Sequence, residues 1–159
     1  MKKYKLINLS INLLLFFLFC AIFSGIIILI NDIRSSDINN MMFSFVNLIL
    51  CLCLFVSVYQ LEKIIKSIPK NEVFSNNNVK RFNSISYPLY IIAFVNCFIN
   101  NSNAGIQLLS FTKFFSIKMD TIIFSTLGFL SSLMAYIFSE AIRIKEKSKR
   151  LEEENKYTI

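Results

Sequence analysis

The strongest nucleophiles in the chain are four cysteines, Cys20, Cys51, Cys53 and Cys97, and each sits inside an apolar run. Thiolate chemistry or soft-metal binding needs a base, a cation or further ligands close by. The chain has no histidine, and no carboxylate lies near these cysteines in sequence. Cys51 and Cys53 are two apart, so on a helix they point in different directions. The four therefore read as small apolar packing residues with no structural disulfide. The lack of histidine also removes the usual general base near neutral pH. With three glycines there is no phosphate-cradling loop, and no nucleophile stands beside a base. No catalytic residue, cofactor or metal site is assigned, and the expectation is a protein that is not an enzyme.

The charge that is present is concentrated near the end. Arg143, Lys145, Lys147, Lys149 and Arg150 follow closely on an apolar run, residues 121–139, and Glu152, Glu153 and Glu154 come next. Each cation is worth about 1 kcal/mol of attraction near an anionic leaflet. Glu146 with Arg150, and Lys149 with Glu153, stand at i, i+4 and support a helix. The tail is thus basic close to the apolar run and acidic beyond it. Such an acidic helical end can face a basic soluble partner.

The elements that hold these groups follow from composition. Of 159 residues, 55% are hydrophobic and 17% charged, and the mean hydropathy is +0.57. That balance is too apolar for a soluble domain of this size. The reading is an all-α integral membrane four-helix bundle, a single transmembrane domain over residues 1–159 that lies in the lipid bilayer. Spans are expected at about 9–30, 43–65, 82–99 and 121–142, with a loop at about 66–81 and a tail at about 143–159. The run 121–139 is about 28 Å long as a helix, enough to cross a hydrocarbon core. Its small residues Ser125, Gly128, Ser132, Ala135 and Ser139 step by three and four, which predicts a helix-packing face within the chain or between copies in a homo-oligomer.

Lysine and arginine number three before the first span, five between residues 60 and 84, and six from residue 139 onward, against one and two in the other loops. The positive-inside rule then puts both termini in the cytoplasm and makes the protein multi-pass in the cell membrane, with the fourth helix running on into a charged cytoplasmic tail. The net charge of +7 is read as topology, with no direct nucleic-acid binding.

Local signals refine this. Residues 31–42 read as a polar loop. Leu61, Ile64, Ile65 and Ile68 continue the second helix amphipathically, and Pro69 ends it. Ser75 or one of Asn76, Asn77 and Asn78 is the expected cap of the third helix, whose Pro88 is placed in the first turns. Asn12, Asn47 and Asn96 read as interhelical hydrogen-bonding residues. Asn100, Asn101, Ser102, Asn103 and Gly105 read as a turn, and Leu108, Phe111, Phe114 and Phe115, around Lys113, as a short helix at the interface. Residues 6–31, 38–61, 82–112 and 121–139 hold no acid or base besides cysteine and tyrosine, which disfavours an ion-coupled transporter.

Two stretches carry a resemblance. Glu72-Val73-Phe74-Ser75-Asn76-Asn77-Asn78-Val79-Lys80-Arg81-Phe82 resembles a "PF-x-x-EN-x-x-RL"-like segment, and Glu153-Glu154-Asn155-Lys156-Tyr157-Thr158-Ile159 resembles a terminal "EEN-D-L-T-I" signature. Both are similar to the DUF 2975 family, bacterial membrane proteins of unknown function with four spans. The chain departs from that pattern at Val73, Asn77, Lys156 and Tyr157, where proline, glutamate, aspartate and leucine are usual. Members are often encoded beside a small helix-turn-helix regulator. The resemblance implies a non-enzymatic regulatory or tethering protein that binds such a DNA-binding partner. The candidate contacts are Phe74, Asn78, Arg81, Glu152, Glu153, Glu154, Asn155, Thr158 and Ile159. The alternatives are an immunity-type protein against a membrane-active peptide, dependent on Phe111, Phe114 and Phe115, and a small transporter or channel subunit.

Overall fold

The computed structural model describes residues 2–35, 38–70, 72–98, 107–112 and 115–156, and of residues 2–4, 39, 107, 110–112 and 115 the backbone alone. Four helices follow one another, α1 (Lys2–Ser35), α2 (Ile38–Ser67), α3 (Asn76–Phe98) and α4 (Met119–Lys156). A 3-10 turn, Ile68–Lys70, follows α2. A two-stranded antiparallel hairpin, β1 (Gln107–Thr112) and β2 (Phe115–Lys118), precedes α4. Among the described residues, α1, α2 and α4 are each long and apolar enough to cross a membrane. Many of their Ile, Leu and Phe side chains are exposed, as a membrane protein requires and a water-soluble one does not tolerate. In lipid, every backbone polar group must be satisfied within the segment, so such runs become helices whatever their propensity in water.

The turn between α1 and α2 corrects the loop expected over residues 31–42: α1 continues to Ser35 and α2 already begins at Ile38. Polar side chains here serve the helix ends instead of breaking them. The Ser35 hydroxyl donates to the Asp32 carbonyl at 2.9 Å, and the Ser44 hydroxyl donates to the Asp32 carboxylate across the turn. Farther on, α2 ends two residues before Pro69.

Ile64 of α2 and Ile85, Leu89 and Ile92 of α3 form the buried core, with Leu50, Cys53 and Leu54 of α2 and Phe124 of α4 packed against it. The helix α1 packs along α2. Centrally placed, α3 lacks the long apolar run that the other three contain, being diluted by Lys80, Arg81, Asn83, Ser84, Ser86 and Asn96. Position explains this. Ile85, Ser86, Leu89, Ile92 and Ala93 face protein, while Tyr87, Tyr90, Ile91, Phe94 and Phe98 form an exposed apolar stripe at helical spacing. Pro88 lies in the interior of α3 and not in its first turns, because the helix starts at Asn76, twelve residues earlier. Its ring nitrogen cannot donate to the Ser84 carbonyl.

The face of α4 against α3 is made by Thr121, Gly128, Ser131, Ala135 and Phe138, all buried. Of the small-residue stripe, Gly128 and Ala135 are buried and Ser132 is half-buried, while Ser125 and Ser139 are exposed. The packed face is therefore turned toward residues 124, 131 and 138, one position earlier in each step. The Ser131 hydroxyl donates to the Phe82 carbonyl of α3 at 2.9 Å. Ser131→Ala should lower stability by about 0.6 kcal/mol, the usual worth of an interhelical hydrogen bond in a membrane, in unfolding titrations of the purified protein.

The hairpin overturns the short interfacial helix expected around residues 108–115. Gln107 pairs with Lys118, Leu109 with Ile117, Ser110 with Ser116 and Thr112 with Phe115. Aromatic and β-branched residues suit a pleated strand better than a single helical turn, and β2 docks on α3 and α4, burying Ser116 and Lys118 on its inner face. Asn100, Asn101, Ser102, Asn103, Gly105, Lys113 and Phe114 and the side chains of Phe111 and Phe115 lie outside the described residues.

Candidate functional site

The connection from α2 to α3 is built around one side chain. Ser75 caps α3: the Asn78 amide donates to the Ser75 carbonyl at 2.9 Å and to its hydroxyl at 3.4 Å, and the Val79 amide donates to the same carbonyl at 3.2 Å. The cap turns the Asn78 side chain into the loop, where its exposure is 0%. Its amide nitrogen donates to Ser67 Oγ at 2.7 Å, to the Val73 carbonyl at 2.9 Å and to the Glu72 carbonyl at 3.1 Å. Two amide hydrogens are thus shared among three acceptors. The Ser67 hydroxyl itself donates to the Ile64 carbonyl at 2.6 Å, which leaves its lone pairs for Asn78. Arg81 Nη1 donates to Asn78 Oδ1 at 2.9 Å and to the Lys63 carbonyl of α2 at 3.1 Å. One asparagine and one arginine therefore fasten the loop to both helices.

This assigns two of the sequence candidates a role other than docking. Asn78 has no exposed surface to offer a partner, and its hydrogen-bonding groups are all engaged inside the loop. Arg81 is half-buried. Phe74 stays 56% exposed, yet its ring meets Phe138 of α4 at a centroid distance of 5.0 Å, and the Phe82 ring meets Phe138 at 5.1 Å. The loop is pinned to α4 just before its charged part. There Arg143 pairs with Glu140 at 2.7 Å. Residues 143–156 are all exposed, Glu152, Glu153, Glu154 and Asn155 among them. One continuous helix puts the acidic end about 20 Å along its axis from Phe138, so Phe74 and Glu152 do not form one contact patch. Thr158 and Ile159 lie outside the described residues.

The same loop borders an open cavity of about 180 Å³ lined by Lys63, Lys66, Ser67, Lys70, Glu72 and Arg81. Four basic residues and one acidic residue thus line it. Lys66 is paired with the buried Glu62 one turn earlier, and the Lys63 ammonium sits 4.2 Å from the centre of the Tyr59 ring. Sequence reasoning singled out Arg81 but not the lysines. Lys63, Lys66 and Lys70 at i, i+3 and i+7 did mark one face of a helix end; that Arg81 joins them from α3 needed the loop to be closed. A larger hollow, about 280 Å³, is lined by Phe19, Cys20, Phe23, Ser24, Ile27 and Ile28 of α1 alone and belongs to that helix's apolar surface. Of the four cysteines, all free thiols, Cys20 is exposed and Cys51, Cys53 and Cys97 are half-buried.

A family model described as "Protein of unknown function (DUF2975)" matches residues 1–159, the whole chain. No curated protein matches the chain, and no solved structure does.

Proposed function

We propose that this chain, which belongs to the DUF2975 family, is a non-enzymatic membrane protein that holds a soluble partner at the cytoplasmic face of the cell membrane. In this reading all four helices cross the bilayer. The exposed apolar stripe of α3 allows it to count as the fourth span despite its low overall hydropathy. Both termini, the α2–α3 loop and the end of α4 then share the face that carries most of the lysine and arginine.

The observation behind the proposal is the end of α4. Residues 143–156 continue the helix with every side chain exposed, first basic and then acidic. The basic turns suit anionic headgroups. They hold Glu152, Glu153 and Glu154 beyond the surface, where a basic soluble protein can meet them. A small helix-turn-helix DNA-binding protein is the partner this charge order and the family resemblance favour.

Deleting residues 152–159 tests it. Crosslinking and pull-down of tagged protein from its native cell should recover the partner with the full chain. The truncated chain should recover less than about a tenth as much while inserting in the membrane to the same extent. Equal recovery with both forms rejects the tether.

A further inference from the structure

We propose that the basic cavity between the end of α2 and the start of α3 is a binding site for a phosphate-type anion. Its lining is the first reason. Lys63, Lys66, Lys70 and Arg81 line it with one acidic residue, Glu72, and Glu62 balances Lys66 from one turn back. The excess positive charge is gathered from two helices and a 3-10 turn around a single space.

Arg81 is the second reason. Its Nη1 hydrogens are committed to the Lys63 carbonyl and Asn78 Oδ1, which fixes the plane of the guanidinium. Of its five N–H donors, three remain, on Nη2 and Nε, and they have no protein acceptor among the described residues. No carboxylate pairs with this half-buried cation among the described residues. A half-buried, firmly oriented guanidinium thus keeps donors open toward the cavity, and an anion there would satisfy them. The planar fork suits phosphate oxygens, and the lysines add point charges around it.

Size and level narrow the ligand. At about 180 Å³ the cavity is smaller than the roughly 300 Å³ at which pockets for drug-sized molecules begin. Its volume matches a phosphate group more closely than a whole nucleotide. The site opens one helical turn past Tyr59, whose ring carries the Lys63 ammonium. Interfacial tyrosines sit at headgroup level. The phosphate of an acidic phospholipid and free phosphate share the chemistry the cavity recognises.

The test uses the full chain in nanodiscs of phosphatidylcholine with and without phosphatidylglycerol, read by native mass spectrometry for retained lipid. A parallel arm titrates inorganic phosphate into the phosphatidylcholine nanodiscs and reads the thermal shift. Three variants are compared, Lys63→Gln with Lys70→Gln, Lys70→Gln alone, and Lys145→Gln with Lys147→Gln in the tail. Lys70 is exposed and lies outside the Asn78 network, so its variant keeps the loop folded. Preferential retention of phosphatidylglycerol that falls about tenfold in the cavity pair, and less in Lys70→Gln, establishes the site with a lipid as its source. A phosphate-induced shift that the cavity pair abolishes establishes it with free phosphate. Wild-type retention and shift in both cavity variants overturn the proposal. So does an equal loss in the tail pair, which would mean diffuse attraction to a basic surface. The outcome is separate from that of the 152–159 deletion, since the two experiments touch different residues.

Discussion

Replacing Asn78 by aspartate is expected to lower the apparent melting temperature of the purified protein by about 6–12 °C, equivalent to about 3 kcal/mol. The exchange is nearly isosteric, so packing changes little. It removes both amide hydrogens and turns a carboxylate toward the carbonyls of Glu72 and Val73, which now accept from Asn78. Those carbonyls lose their partner in a site where Asn78 has no contact with water. The ion pair gained with Arg81 offsets part of this loss, and the bond from Arg81 to the Lys63 carbonyl remains. Asn77→Asp is the control: one residue away, that side chain is exposed, and its variant should melt within about 2 °C of wild type. An Asn78→Asp protein that melts with the wild type would show that the loop does not depend on this side chain. Because the loop also carries Arg81 into the basic cavity, Asn78→Asp should weaken phosphate or acidic-lipid binding as well.

The second large effect is expected at Gly128. A Cβ built there would stand 3.1–3.4 Å from three carbons of the Tyr90 ring. Alanine therefore demands that the ring yield by a few tenths of an ångström. Tyr90 is 38% exposed and can tilt outward, so Gly128→Ala should cost less than about 1 kcal/mol. Leucine has no such remedy. Its additional carbons meet α3 directly and must drive α3 and α4 apart, at a cost of about 2–3 kcal/mol. The separation would also loosen the Ser131–Phe82 hydrogen bond and the Phe74–Phe138–Phe82 ring contacts one to three turns further along. A double-mutant cycle checks the assignment: Tyr90→Ala should restore at least half of what Gly128→Leu loses. Additive losses in the double variant would place the obstruction elsewhere.

Much of this molecule is decided by local chemistry that a reader of the chain can follow. Long uncharged runs bounded by polar clusters specify helices in a bilayer, because only a helix satisfies the backbone there within a single segment. The cap of α3 is narrowed by the chain to residues 75–78 and the structure assigns it to Ser75, while Pro69 as a stop acts through its own ring and is readable in place. The same holds for the continuation of α4 into its charged end, which no glycine or proline interrupts.

What tertiary structure decided is which face meets what. Spacing alone pointed to Ser125, Ser132 and Ser139 as partners of Gly128 and Ala135, since a rule about small residues cannot weigh the shape of the opposing helix. Phe138 packs against both Phe74 and Phe82, and Tyr90 lies against Gly128, so the packed face turned toward Ser131. Leu108 and its neighbours fit a helical face on paper, but pairing between β1 and β2, and the docking of β2 on α3 and α4, outweighed that local pattern. Asn78 and Arg81 lie in a polar stretch that could have been solvated throughout. Only the folded loop brings Ser67, Glu72 and Val73 within hydrogen-bonding distance of Asn78 and sets Arg81 beside Lys63 and Lys70, because those contacts join residues on opposite sides of a chain reversal.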